Sequence, residues 1–307
     1  MAEARSRSLN GFILAFTGAI LFSTKAIIVK LAFRHAPVDA LTLLTIRMIF
    51  SLPFFLVAAF FITSRTGNVR MNARQWFYLI TLGLFGYHLS SFFDFAGLKY
   101  ISAGLERLIL FLYPSFVLVL NYFLFHKKIS GVQLVAVALT YAGIGLAYYG
   151  EFHVDPDNKN FFWGSFLIVL CAFTYALYLA GSGKIIPIIG ANKFTAYTML
   201  AATGGIFIHF LVAGDYLGSV AIAKDVWGYG LLLALVATVL PIFMLSAALL
   251  RIGANNVAIV SSIGPVSTIL QAHWLLGEEL HWGQVLGTVL VIAGILLIGW
   301  RNRPAVE

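Results

Sequence analysis

Residues 101–124 read ISAGLERLILFLYPSFVLVLNYFL, and residues 252–275 read IGANNVAIVSSIGPVSTILQAHWL. Laid over each other without a gap, Ile101 meets Ile252, Ala103 meets Ala254, Pro114 meets Pro265 and Leu124 meets Leu275. The offset is 151 residues (101 against 252), and it holds from about residue 75 to 150. Over that stretch Trp76 meets Trp227, Tyr78 meets Tyr229, Gln133 meets Gln284, and Ala142-Gly143 meets Ala293-Gly294. Apolar pairs recur by chance in an apolar chain. Paired Pro, Gln and Trp at one offset do not. The sequence predicts two copies of one unit, residues 1–150 and 151–307.

Each copy is a run of membrane spans. Of 307 residues 61% are hydrophobic and only 10% are charged, against roughly a quarter in soluble domains. The apolar residues come in blocks long enough to cross a bilayer, roughly 17 to 25 residues each. That excludes a soluble enzyme, and a β-barrel would show short alternating segments instead. The blocks predict an all-α polytopic membrane protein of ten transmembrane helices, at about 11–33, 39–62, 75–97, 100–124, 130–149, 162–182, 194–213, 226–249, 255–276 and 282–300.

Alternating the loops places Arg5, Arg7, Arg65, Arg70, Arg74, Lys127, Lys128, Lys184, Lys193, Arg251, Arg301 and Arg303 on the side of the N-terminus. Only Lys30, Arg34, Lys99, Lys159 and Lys224 fall on the other side, while most acids do. The positive-inside bias then puts both termini in the cytoplasm. The formal charge of +8 belongs to these loops, so no nucleic-acid partner is expected. The N-terminal apolar run is read as a first span and not as a cleaved signal peptide. No N-x-[ST] sequon is present, consistent with a bacterial inner membrane. Five spans per copy is odd, so the second copy enters from the opposite side. Lys127-Lys128 in the first copy accordingly becomes Glu278-Glu279 in the second. Inverted repeats of this kind are built into secondary transporters, with a site near the midplane where the halves meet.

The spacing Ala-x10-Pro, the run Gly277-Glu278-Glu279-Leu280, Trp282 and Ala293-Gly294 together resemble the drug/metabolite transporter superfamily in its EamA branch. In the first span Phe22-Ser23 stands where Trp-Gly is common in that family, and Lys30 resembles the motif's lysine. Arg47 resembles the arginine often found in the second span. The first copy departs from the pattern, with His126-Lys127-Lys128 where a Gly-Glu is usual. The resemblance implies a ten-helix basket around a central cavity lined mainly by spans 1, 3, 4, 6, 8 and 9. It further implies export of amino acids or other small metabolites and drugs.

Ionisable groups inside spans are costly and face a cavity or a partner. Here they are Lys25, Arg47, His88, Asp94, Glu106 and Arg107. Counting about 1.5 Å per residue puts Lys25, Arg47, Glu106 and Arg107 at one depth, roughly 12 Å below the outer boundary. One reading is a polar cluster that binds a zwitterion or gates the outer mouth. The other is a set of structural ties, Arg47 and Arg107 pairing with Asp94 and Glu106, and Arg47 is expected in that role off the cavity. His88 is either a packing histidine or a proton relay. Further substrate contacts are expected from Ser23, Thr24, Tyr87, Ser91, Tyr113, Thr174, Tyr175, Tyr178, Ser261 and Ser262. Pro114 and Pro265 each leave a carbonyl, at Leu110 and Ser261, without its helical partner. They are expected as paired hinges for gating.

The lone Cys171 allows no internal disulfide, and no metal or cofactor motif is present. Gly181-Ser182-Gly183-Lys184 lacks the spacing of a phosphate-binding loop. Gly283, Gly287 and Gly294 make a smooth face on span 10 that packs on span 5 or on a second protomer, a homodimer being the second outcome. The function expected is export of small metabolites, foremost amino acids, by alternating access in a lipid bilayer. The alternatives are carriage of drug-like, phosphorylated or nucleotide-sugar metabolites, or a membrane-embedded lipid-modifying enzyme using the His88, Asp94 and Glu106 region.

Overall fold

The computed structural model describes residues 2–64, 69–126, 129–154, 158–213 and 224–301. The loop residues Arg65, Lys127, Lys128, Asp155, Asp157 and Asp215 fall outside them. Among the described residues nine helices are long and apolar enough to cross a bilayer: Leu9–His35, Ala40–Thr63, Ala73–Gly97, Ala103–Leu124, Gly131–Phe152, Phe161–Ile189, Ala191–Ala213, Lys224–Gly253 and Ile259–Leu276. A tenth, Trp282–Leu297, is apolar and shorter. These are the ten spans of a polytopic membrane protein.

Helix starts follow the sequence. The Asp39 carboxylate accepts the Leu41 and Thr42 N–H groups at 2.8 and 2.9 Å. Asn72 and Gln75 form a reciprocal capping box ahead of the third span, and the Ser102 hydroxyl accepts the Leu105 N–H at 3.0 Å at the start of the fourth. Each satisfies backbone donors that a helix cannot satisfy itself.

The outside is oily. Phe60 is 70% exposed, Phe123 69% and Trp282 81%. Such a surface is stable only against lipid. The spans meet instead through small residues. A Cβ on Gly287 would strike the Gly143 carbonyl and one on Gly294 the Ala136 carbonyl. The glycine face of the tenth span is therefore taken by the fifth, the first of the two partners expected for it.

Backbone irregularities fall at matched places in the two halves. The third span carries a π-helical turn at Leu84–Leu89 and the eighth one at Leu235–Val239, 151 residues apart (84 against 235). The fourth span breaks at Phe111 and Leu112, where the amides bond only to the third residue back. The ninth breaks likewise at Ser262 and Ile263, two residues before Pro265 as Leu112 is before Pro114. A proline removes the amide that would have bridged the break. Opposite the Ser102 cap, Gly253 takes φ 76°, a conformation open to glycine at little cost.

Candidate transport chamber

The broken fourth and ninth spans leave a chamber of about 410 Å³ among the first, third, fourth, sixth, eighth and ninth spans. Leu110 and Ser261, whose carbonyls the two prolines release, both line it. The second, seventh and tenth spans also contribute, through Arg47, Thr195 and Ile295. That extends the expected set of walls.

Charge enters the wall from four spans. The Lys25 ammonium lies 2.7 Å from the Asp94 carboxylate, with Asp94 1% exposed. Arg47 donates from Nε to the Thr238 hydroxyl at 2.8 Å and sits 5.6 Å from the centre of the Phe95 ring. Arg107 lies over Phe22 at 5.8 Å and Phe111 at 5.7 Å. Rings hold a guanidinium through their negative faces, yet Nη1 of Arg47 and Nε of Arg107 receive no hydrogen-bond partner. Neither guanidinium has a carboxylate at ion-pair distance among the described residues. Glu106 is fully buried and is not on the chamber wall.

Two expectations are corrected here. The tie runs from Lys25 to Asp94 and does not join an arginine to an acid. Arg47 lines the chamber instead of lying off it, because the second span packs along the eighth and reaches Thr238 at its π-turn.

The aromatic wall is a chain of rings. Tyr113 and Tyr175 meet edge to face at 5.3 Å, Tyr175 and Tyr178 stack at 5.8 Å, and Tyr178 and Tyr87 meet at 5.1 Å. Of the residues expected at the site, Lys25, Tyr87, Ser91, Arg107, Tyr113, Tyr175, Ser261 and Ser262 line the chamber. The others do not. The Ser23 hydroxyl bonds the Ala19 and Gly264 carbonyls, and Thr24 and Thr174 bond carbonyls of their own helices. Tyr178 supports Tyr87 from behind, at 3.5 Å between hydroxyls. His88 turns away to His209, 3.1 Å between ring nitrogens. Phe22, Ser90, Thr238 and Ser246, not among the expected residues, also stand on the wall. Phe22 is one residue from Ser23 and Ser90 one from Ser91, so the depth was legible and the facing was not.

At one end of the bundle carboxylates gather at the start of the fourth span, beside a second cavity of about 340 Å³. Glu278 accepts the Ala103 N–H, and Glu151 accepts the N–H and hydroxyl of Ser102. Lys30 lies 3.8 Å from Glu278 and donates to the Ile101 carbonyl, while Arg34 donates to the Leu276 carbonyl. Two acids at a helix N-terminus also complement its dipole. Toward the other end an apolar cleft of about 310 Å³, lined by Phe55, Phe61 and Phe243 among others, shares Thr195, Ile242 and Ser246 with the chamber.

The model of the EamA-like transporter family matches residues 9–149 and again 162–300. The chain belongs to the EamA-like transporter family. As a member of that family, this EamA-like chain is a membrane transporter of small molecules. It is 30% identical over 293 residues to the uncharacterized transporter YcbK of Bacillus subtilis, covering 93% of this chain and 92% of that one. It is 29% identical over 254 residues to a probable amino-acid metabolite efflux pump of Escherichia coli, covering 73% and 79%. A pump of the same description from Salmonella typhimurium is 26% identical, with 96% of both chains covered. A solved crystal structure superposes with a TM-score of 0.65 at 16% identity over 97% of this chain and 98% of that one, a likeness of fold alone.

Proposed function

We propose that this EamA-like transporter exports small metabolites, amino acids foremost, across a bacterial inner membrane with both termini in the cytoplasm. Residues 1–150 and 151–307 act as inverted repeats whose two near-equivalent packings open the chamber to either side in turn. The observation that carries the reading is the chamber itself. Its volume of about 410 Å³ falls in the range of small-molecule sites, roughly 300 to 1,000 Å³. Its wall sets the Lys25–Asp94 pair beside two guanidiniums that still have open donors. A zwitterion fits this arrangement, its carboxylate toward Arg47 and Arg107 and its ammonium toward Asp94, with the tyrosines against its side chain. The two relatives described as probable amino-acid metabolite efflux pumps support the same substrate class. Pro114 and Pro265 serve as hinges at the chamber's waist.

Flux of each labelled amino acid from proteoliposomes tests this. Release of at least one, abolished by Lys25→Met, is the expected result. No flux of any amino acid would sink the substrate class.

A further inference from the structure

The second and eighth spans pack closely along only part of their length. The first half of the eighth span and its π-turn lie on the second span, and the stretch from Leu240 onward packs on the first span instead. Pro241 stands at the parting, where its missing amide leaves a gap in the helix ladder. The second and seventh spans stay together beyond that level, with the Thr63 and Tyr197 hydroxyls 2.6 Å apart. Between this pair and the eighth span opens the apolar cleft of about 310 Å³ that adjoins the chamber.

Depth, mouth and inner end make the cleft a passage. The second span ends at Thr63, and the lining reaches back to Phe55, eight residues (63 − 55) or about 12 Å along the helix. Half of a hydrocarbon core is about 15 Å, so the cleft lies among the acyl chains of the leaflet on the side of the N-terminus. Its mouth is apolar and outward, with Phe61 62% exposed, Phe243 46% and Leu250 79%. At its inner end Thr195, Ile242 and Ser246 line cleft and chamber together, so two hydroxyls stand where the apolar bore meets the charged wall. Ala58 and Ala247 line the bore between and leave it clear of large side chains.

An apolar bore at acyl-chain depth takes hydrocarbon and stays free of water. We propose that the cleft is a side door from the leaflet: a single-chain amphipathic substrate binds with its polar head in the chamber and its apolar tail lying through the cleft into lipid. The tail then never meets water during entry, and its length is not limited by the chamber's about 410 Å³. The substrate class that follows is metabolites with a polar head and one apolar tail, drawn from the membrane. This rests on the chamber as the transport site and not on amino acids as its cargo.

Photolabelling of the wild-type chain in vesicles reads the passage directly. The vesicles are phosphatidylethanolamine and phosphatidylglycerol carrying a diazirine midway along one acyl chain. Adducts are expected on Ile242 and Ser246 at the inner end, as well as on the outward Phe60 and Leu250. Leucine dodecyl ester should lower the inner adducts several-fold and leave those on Phe60 unchanged, whereas leucine methyl ester at the same concentration should lower neither. Ala247→Trp, which fills the bore, should remove the inner adducts and keep the outer ones. Ala58→Trp does the same from the opposite wall if the first variant does not fold. Adducts confined to outward residues in the wild type overturn the proposal. So do inner adducts that the dodecyl ester leaves in place, which would mean a resident lipid, and cross-linked dimers without inner adducts, which would mean that a second copy covers the cleft. If the ester displaces lipid while no amino acid moves in proteoliposomes, the amino-acid class fails and the side door stands.

Discussion

The backbone N–H of Ala103 donates to both oxygens of the Glu278 carboxylate, each at 3.1 Å. The two residues belong to different halves of the chain, so the bond ties the start of the fourth span to the end of the ninth. By the 151-residue offset the position matching Glu278 in the first half is Lys127, and an ammonium cannot accept from an N–H. The latch is therefore one-sided.

Breaking it should open that side. Cys171 is the chain's one cysteine, lies on the chamber wall and is 4% exposed. In Glu278→Ala, a membrane-impermeant maleimide added to the Glu278 face should label Cys171 several-fold faster than in the wild type. An unchanged rate would mean that Glu278 does not hold the gate.

Arg47 should matter to substrate binding more than to folding. Lysine in its place keeps the charge and loses the planar fork that both bonds Thr238 and lies against Phe95. Arg47→Lys is expected to raise the KM for the transported amino acid about tenfold, equivalent to about 1.4 kcal/mol. The unfolding temperature in detergent should stay near the wild type. A lower Tm with unchanged KM would return Arg47 to a structural role.

Depth in the bilayer is written in this sequence more plainly than direction about a helix axis. Span ends, the offset and the proline breaks were legible because apolar length and punctuation are properties of a single strand of sequence. Rotation about each helix axis was not. Tyr175 and Tyr178 are three residues apart, a spacing that puts both on one helix face, yet Tyr175 lines the chamber while Tyr178 packs behind Tyr87 and on Phe194. The partner of Asp94 was equally hidden. Lys25, Arg47 and Arg107 lie at similar depth, and only the packing of the first span on its neighbours decides which one reaches the acid.

His88 stands off the chamber wall. It bonds His209 away from the chamber, and Phe92 lies 4.8 Å from His209. His88→Gln should therefore leave the flux of the transported amino acid near the wild-type value. A several-fold loss of flux with the wild-type Tm would place His88 in the transport path.

The seam between the fifth and tenth spans should tolerate no side chain. Gly287→Val would force a branched group against the Gly143 carbonyl. The expected cost is about 1–3 kcal/mol, seen as a lower Tm in detergent. A Tm at or above the wild-type value would show that the seam has slack.

The π-helical turn at Leu84–Leu89 has a wider reach than its six residues. A turn that closes five residues on instead of four admits one extra residue, and one residue is about 100° of azimuth on a helix. Everything downstream is thus set a quarter-circle out of phase with what came before. Ser90, Ser91 and Asp94 all lie downstream. Wound straight through at about 3.6 residues per turn, the same residues would carry Asp94 away from Lys25; the wide turn brings it round to 2.7 Å, with no wall residue chemically changed.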